Sequence, residues 1–341
     1  LENDPDYSYE QCDDFTFSGC TFGDSVYFLP YALATRILVW NKELFDQAGL
    51  DPETPPKTWS ELEEFSKKLC TYHPSGKPKT IGMTPGHING FLLAAGYPDI
   101  TNRAGTTLDF NNDNVRSLME WVRAIPEPFG GMKVLPQEIS FLKGTAGMST
   151  FSADGIVLLP VWTNFRFGLA PLPLPDGKTE YRTPFTVDNL LGIPKKAKNP
   201  KGGWLFGKFM MTEAKYDDAM NWYQMKPENC VLTYITHKPT RERLYEYFAD
   251  ILTEDSWNLV NERDRIMQLP FVSASSLAVQ AEFDKYLQPE LEKMLRKEIN
   301  PQDFLINAQA YGESLLEEFI ERKAAEGWTF GEDGSATPPG A

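Results

Sequence analysis

At 341 residues the chain is too long for one small core and suits two lobes or domains, and 41% hydrophobic with 13% aromatic residues is a composition for packed interiors rather than disorder. Against 33 Lys+Arg stand 48 Asp+Glu, a formal charge of −15, which repels phosphate backbones and argues against a nucleic-acid partner. No apolar run approaches the ~20 residues that a membrane-spanning helix requires.

Residues 1–25 are polar, acidic and Gly-containing, an irregular entry segment. The chain opens on Leu1 and carries no signal peptide, so it reads as a processed or truncated product whose compartment must be inferred from other features. Val26–Leu29 and Ile37–Trp40 are two short β-rich runs with Pro30 at the break. Asn41 is a natural N-cap for a short helix over Lys42–Ala48, stopped by Gly49. Thr58 with Glu61 forms a capping box, and Leu62, Phe65 and Leu69 make one buried stripe on the helix that follows. Trp59, at that helix start, reads as core rather than as a ligand platform.

Further on, Thr80–Met83 reads as a strand, Asn89–Ala95 as a helix ended by Gly96, and Val115–Ala124 as a helix with Leu118, Trp121 and Val122 inward. A helix, turn and strand follow in Glu138–Thr150, then strands at Phe167–Pro171 and Leu190–Ile193, and an apolar helix at Lys201–Met211. From Arg241 to Lys323 most of the chain is helical, with interruptions near Pro270 and Pro301. Alternating strands and helices followed by helices imply an α/β architecture with a helical C-terminal region.

The cysteines Cys12, Cys20, Cys70 and Cys230 fit no zinc spacing, and only three histidines accompany them, so neither a metal nor any other cofactor is expected. Cys12 and Cys20 form a disulfide in an oxidising compartment, or all four are thiols with Cys70 buried on a helix; the sequence leaves both open.

Residues 30–69 read PYALATRILVWNKELFDQAGLDPETPPKTWSELEEFSKKL. This ungapped block resembles the signature of the maltose-binding-like, family 1 extracellular solute-binding proteins of ABC importers. Further resembling stretches follow in the family's order: FLKGTAGM at Phe141–Met148, FGLAPLPLPDG at Phe167–Gly177, GIPKKAKNP at Gly192–Pro200, and the helix start at Pro301. The resemblance implies a periplasmic-binding-protein-like (type II) two-lobe α/β fold with a ligand cleft between lobes. It also implies a small-molecule carbohydrate ligand, ABC permease subunits as partners and a monomeric state. A periplasmic or extracellular location follows, with lipid anchoring through a segment absent from this chain. Glycerol phosphate or another polyol, and a ligand-sensing role at a membrane receptor, are the alternatives.

One departure stands out. Family members carry a long βαβαβ segment before the hinge strand, and here only about thirty residues precede it. By the resemblance, residues 1–33 and 190–237 are a remnant of lobe 1, residues 34–189 and 238–325 form lobe 2, and residues 326–341 are a flexible tail. The first lobe is then incomplete and the chain binds ligand weakly.

Sugar recognition needs aromatic faces for the apolar side of a pyranose and planar polar groups for paired hydroxyls. By the family's pattern, ligand contacts fall at Thr35 and Arg36 on the hinge strand, at His87 and Asn89, at Ser152 and Asp154, at Asp188 and Asn189 of the second crossover, and at Phe271. The small residues Ala32–Arg36 suit a strand passing between lobes. Ala34 stands where maltose-binding proteins carry a carboxylate, so that contact is lost. Arg36 suits an acidic or phosphorylated substituent, or a solvent-facing structural role. Trp162 is either a stacking platform or part of lobe packing. No GxSxG, HExxH, Walker A or dinucleotide fingerprint occurs, and no motif locates a carboxylate pair, so no catalytic residue is expected.

Overall fold

Ile37, Leu38, Val39 and Trp40 are all buried, on both faces of the backbone. A β-branched and aromatic run buried on both sides belongs to the middle of a covered sheet, and that is the place this run takes in the computed structural model, which describes residues 4, 11–12, 14–17, 20–22, 25–84, 91, 94–95, 100–101, 105–124, 140–152, 159–180, 185–211, 234–235, 237–247, 278–331 and 336–340. A short antiparallel pair, β1 (Thr21–Phe22) and β2 (Ser25–Val26), precedes β3 (Leu29–Asn41), the longest strand among the described residues.

Of the first β-rich run read from the sequence, Val26 ends β2 and only Leu29 lies in β3, whereas the second run, Ile37–Trp40, lies wholly within β3. Pro30 does not end it; Pro30 pairs with Leu190 and the register shifts between Pro30 and Ala32. Proline has no N–H to give to the ladder, and an irregularity beside it absorbs the missing bond.

Around the C-terminal half of β3 lies a mixed sheet in the order β4-β5-β6-β3-β7, built with β4 (Thr71–Tyr72), β5 (Pro78–Thr84), β6 (Ala146–Ser152) and β7 (Phe167–Ala170). β5 and β6 run parallel; β6 and β7 flank β3 antiparallel. The N-terminal half of β3 pairs instead with β8 (Phe185–Leu191) and β9 (Tyr234–Ile235). One strand thus serves two sets of partners in succession.

Helix ends follow local chemistry. Asn41 caps α1 (Lys42–Gln47) by accepting from the N–H groups of Glu43 and Leu44 at 3.0 and 3.1 Å, and Gly49, at φ 71°, takes the left-handed turn that ends it. Thr58 Oγ1 accepts from Glu61 N at 3.2 Å at the start of α2 (Trp59–Leu69). The return bond of the expected capping box goes one residue further back, with Lys57 N donating to Glu61 Oε2 at 2.6 Å. Trp59 is core, as its position suggested: it is buried, stacks on Trp121 with centroids 4.7 Å apart, and its Nε1 donates to the Pro173 carbonyl at 3.0 Å.

The remaining helices are α3 (Asp113–Ala124), α4 (Leu159–Trp162), α5 (Pro200–Met210), α6 (Lys238–Tyr247), α7 (Gln280–Leu295) and α8 (Pro301–Ala325), and a pair of short strands, β10 (Thr329–Phe330) with β11 (Ala336–Thr337), follows α8. Pro301 starts α8 as expected, with Asn300 as its cap. The Pro270 interruption and Cys230 lie outside the described residues.

Among the described residues, two hydrophobic clusters draw on β3. The large one joins Leu38 and Trp40 to α2, α3, α7 and α8. The small one gathers Cys12, Leu29 and Met211, with Phe17, Tyr31, Leu191 and Trp204 against it. No disulfide joins Cys12 to Cys20: both are buried thiols, and Cys20 Sγ donates to the Thr16 carbonyl at 3.7 Å. Cys70 is not inside a helix; it follows α2, half-buried, and its sulfur accepts from Gly82 N at 3.2 Å.

Candidate functional site

The register of β3 locates where its two sets of partners separate. Arg36 pairs with Ser152, the last residue of β6, and the preceding residue, Thr35, pairs with Phe185, the first of β8. Ala34 pairs with Thr186 and Ala32 with Asn189, so β8 carries an extra residue opposite this stretch, within which Asp188 falls. Bulges of this kind re-aim side chains and recur beside binding sites. Backbone pairing therefore brings Thr35, Arg36, Ser152, Asp188 and Asn189 to one place.

β5 and β6, being parallel, end at the same edge, at Thr84 and Ser152. In open α/β sheets ligands bind outside the carboxyl ends of such strands. The segments that leave this edge hold His87 and Asn89 after β5 and Asp154 after β6; these three residues, like Phe271, lie outside the described residues.

Arg36 is half-buried. Among the described residues its side chain makes no ion pair and no hydrogen bond, whereas Arg116 is held by Asp113 and Arg166 by Asp46. Trp162 is 39% exposed on α4, and its ring meets Phe151 edge-on with centroids 6.5 Å apart.

The sequence reading passed over one pair near this edge. Thr84 Oγ1, at the end of β5, donates to Ser149 Oγ in the middle of β6 at 2.6 Å. Only the parallel pairing of two distant strands makes them neighbours, and no local pattern carries that signal. Among the described residues no group of three metal-ligating side chains gathers, and no helix is long and apolar enough to cross a membrane.

The profile of the bacterial extracellular solute-binding proteins matches residues 4–216. The chain belongs to this family. The sn-glycerol-3-phosphate-binding periplasmic protein UgpB of Pectobacterium atrosepticum is 26% identical over 313 residues, 85% of this chain and 66% of that protein, so the chain spans just under two thirds of this relative. The solved structure of CpMnBP1 with mannotriose bound superposes with a TM-score of 0.70 at 22% identity, over 91% of this chain and 78% of the other. UgpB from Mycobacterium tuberculosis in complex with glycerophosphocholine gives 0.67 at 18%, over 91% and 76%. The fold is the two-lobe, type II α/β fold of these binding proteins.

Proposed function

We propose that this solute-binding protein captures a carbohydrate or a similar hydroxyl-rich small molecule where β3 passes between its two sets of partner strands, and delivers it to ABC permease subunits outside the cytoplasm. The observation that carries the reading is the register at Thr35 and Arg36, where the strand leaves β6 for β8 and backbone pairing converges five polar residues. A strand crossing between two separately packed clusters is the element about which lobes close on a ligand. The mannotriose bound by CpMnBP1 and the glycerol 3-phosphate of the UgpB name set the range of solutes to try.

On this reading residues 34–189 and 238–325 form one lobe, and residues 1–33 and 190–237 belong to the other. His87, Asn89, Asp154 and Phe271 complete the ligand contacts, and Trp162 offers a stacking face. The protein acts as a monomer, periplasmic or extracellular and lipid-anchored, and performs no chemistry on its ligand.

A thermal-shift screen of the chain against sugars, oligosaccharides, polyols and their phosphate esters tests this. A ligand at 100 times its Kd adds about 2.7 kcal/mol to the folded state and raises Tm. No shift with any member of the panel overturns the reading; cleavage of an oligosaccharide overturns the claim of binding without chemistry.

A further inference from the structure

The turn and helix that follow β8 depart from the rest of the chain in charge. Between Gly192 and Met211 stand five lysines and no acidic residue, in a chain whose formal charge is −15. Lys195 and Lys196 form the tip of a turn that Ala197 N closes by donating to the Pro194 carbonyl at 2.9 Å. Lys198 follows the turn and Lys201 lies in the first turn of α5. All four are exposed, and their side chains make no ion pair or hydrogen bond among the described residues. Of the five, Lys208 is held by Asp4 at 2.9 Å. Cations are unfavourable at the start of a helix, so this placement does nothing for α5 itself.

Beside the lysines lies apolar surface left in water. Of the nine large hydrophobic side chains exposed among the described residues, five gather here: Tyr27, Ile193, Leu205, Phe206 and Phe209. Helical spacing puts Leu205, Phe206 and Phe209 on one face of α5, with Lys201 one turn before Leu205. Tyr27, Ile193 and Phe206 line one open groove. Ile193 lies against the helix at Gly203, where an added Cβ would stand 3.3 Å from its Cγ1. The lysine turn and the apolar face are thus one continuous surface.

We propose that this surface docks on an anionic phospholipid membrane, with the lysines at the headgroups and Leu205, Phe206 and Phe209 at the edge of the acyl layer. Apolar side chains on one helix face, rimmed by lysine, hold a protein in that boundary, and each lysine near an anionic surface strengthens binding about fivefold. The remainder of the chain is acidic and is repelled by such a membrane, which turns the lysine face towards it. Every basic residue of the stretch is lysine. Protein interfaces favour arginine and are depleted of lysine, whereas headgroups ask only for point charges. A two-fold contact between copies of this chain would set the same lysines against each other.

The test is cosedimentation of the full chain with vesicles of phosphatidylcholine alone and of phosphatidylcholine with about 30% phosphatidylglycerol. Wild type should bind the anionic vesicles at least about 50-fold more tightly, and about 0.5 M salt should remove most of that gap. Lys195→Ser with Lys196→Ser should weaken binding to anionic vesicles about 10- to 30-fold. Leu205→Ser with Phe206→Ser should weaken it about 10-fold or more. Both variants should keep the wild-type far-UV spectrum, so lost binding is not lost fold. Equal binding to the two kinds of vesicle, or an anionic preference that survives in both variants, overturns the proposal. Absence of binding to either vesicle overturns it too and leaves the face to a protein. A wild-type dimer in sedimentation velocity, lost in Leu205→Ser with Phe206→Ser, would then identify that protein as a second copy.

Discussion

Asn41 ends β3 and starts α1, and at 2% exposure it has no water to take over its bonds. Asn41→Ala should therefore lower stability by about 1–2 kcal/mol, read as a lower urea midpoint with an unchanged slope. This cap was legible in the sequence because its logic is local: an amide, a run of helix formers, then Gly49. Cys20 shows the opposite case. From spacing alone a bond to Cys12 was open; the fold instead buries Cys20 as a thiol and pushes its pKa up from 9.0 to about 12. The sign follows from linkage. The unfolded thiol ionises near 9.0 while the folded one keeps its proton, so this stabilisation is complete below that pH and is lost as pH rises towards about 12. Native protein at pH 8 should accordingly leave Cys20 unmodified by iodoacetamide, and denatured protein should not; mapped modification by mass spectrometry decides it.

Among the elements, β3 shows what sequence patterning reaches and where it stops. The buried run Ile37–Trp40 announced a strand by its residue types. The extension back to Leu29 did not, because Pro30 and the small residues after it are weak strand formers; β8 and β9, far away in sequence, hold them in the sheet. The seat of α2 on β5 and β6 was equally hidden, since it depends on the absence of a side chain. A Cβ at Gly82 would lie 2.3 Å from Ser66 Cα and 2.4 Å from its carbonyl oxygen, both backbone atoms of α2. Helix and strand can approach so closely only over glycine. Gly82→Ala must push α2 away and should cost about 1–3 kcal/mol, seen as a lower Tm with the far-UV spectrum retained.

At the level of the whole molecule, most of the large cluster was readable from helical stripes, and the site was readable only in part. Thr35, Arg36 and Ser152 were named as ligand contacts from the resemblance, but that Arg36 pairs with Ser152 is seen only in the register of β3 and β6. That the Trp162 ring meets Phe151 of β6 depends on a packing no single segment contains. The helix α5, read from the sequence as apolar, leaves Leu205 61% and Phe206 57% exposed, beside an open groove of about 430 Å³ that Tyr27, Ile193 and Trp204 help to line. Among the residues of this helix only Gly207 is fully buried. A side chain already in water contributes little to folding, and losing its area should change stability by no more than about 0.5 kcal/mol. Contiguous exposed apolar surface does attract hydrophobic probes and other copies of a protein. Leu205→Ser with Phe206→Ser should therefore keep Tm within about 2 °C of wild type while lowering ANS fluorescence and slowing aggregation. A large drop in Tm would mean instead that the two side chains are packed in solution and that the small cluster is bigger than the structure shows.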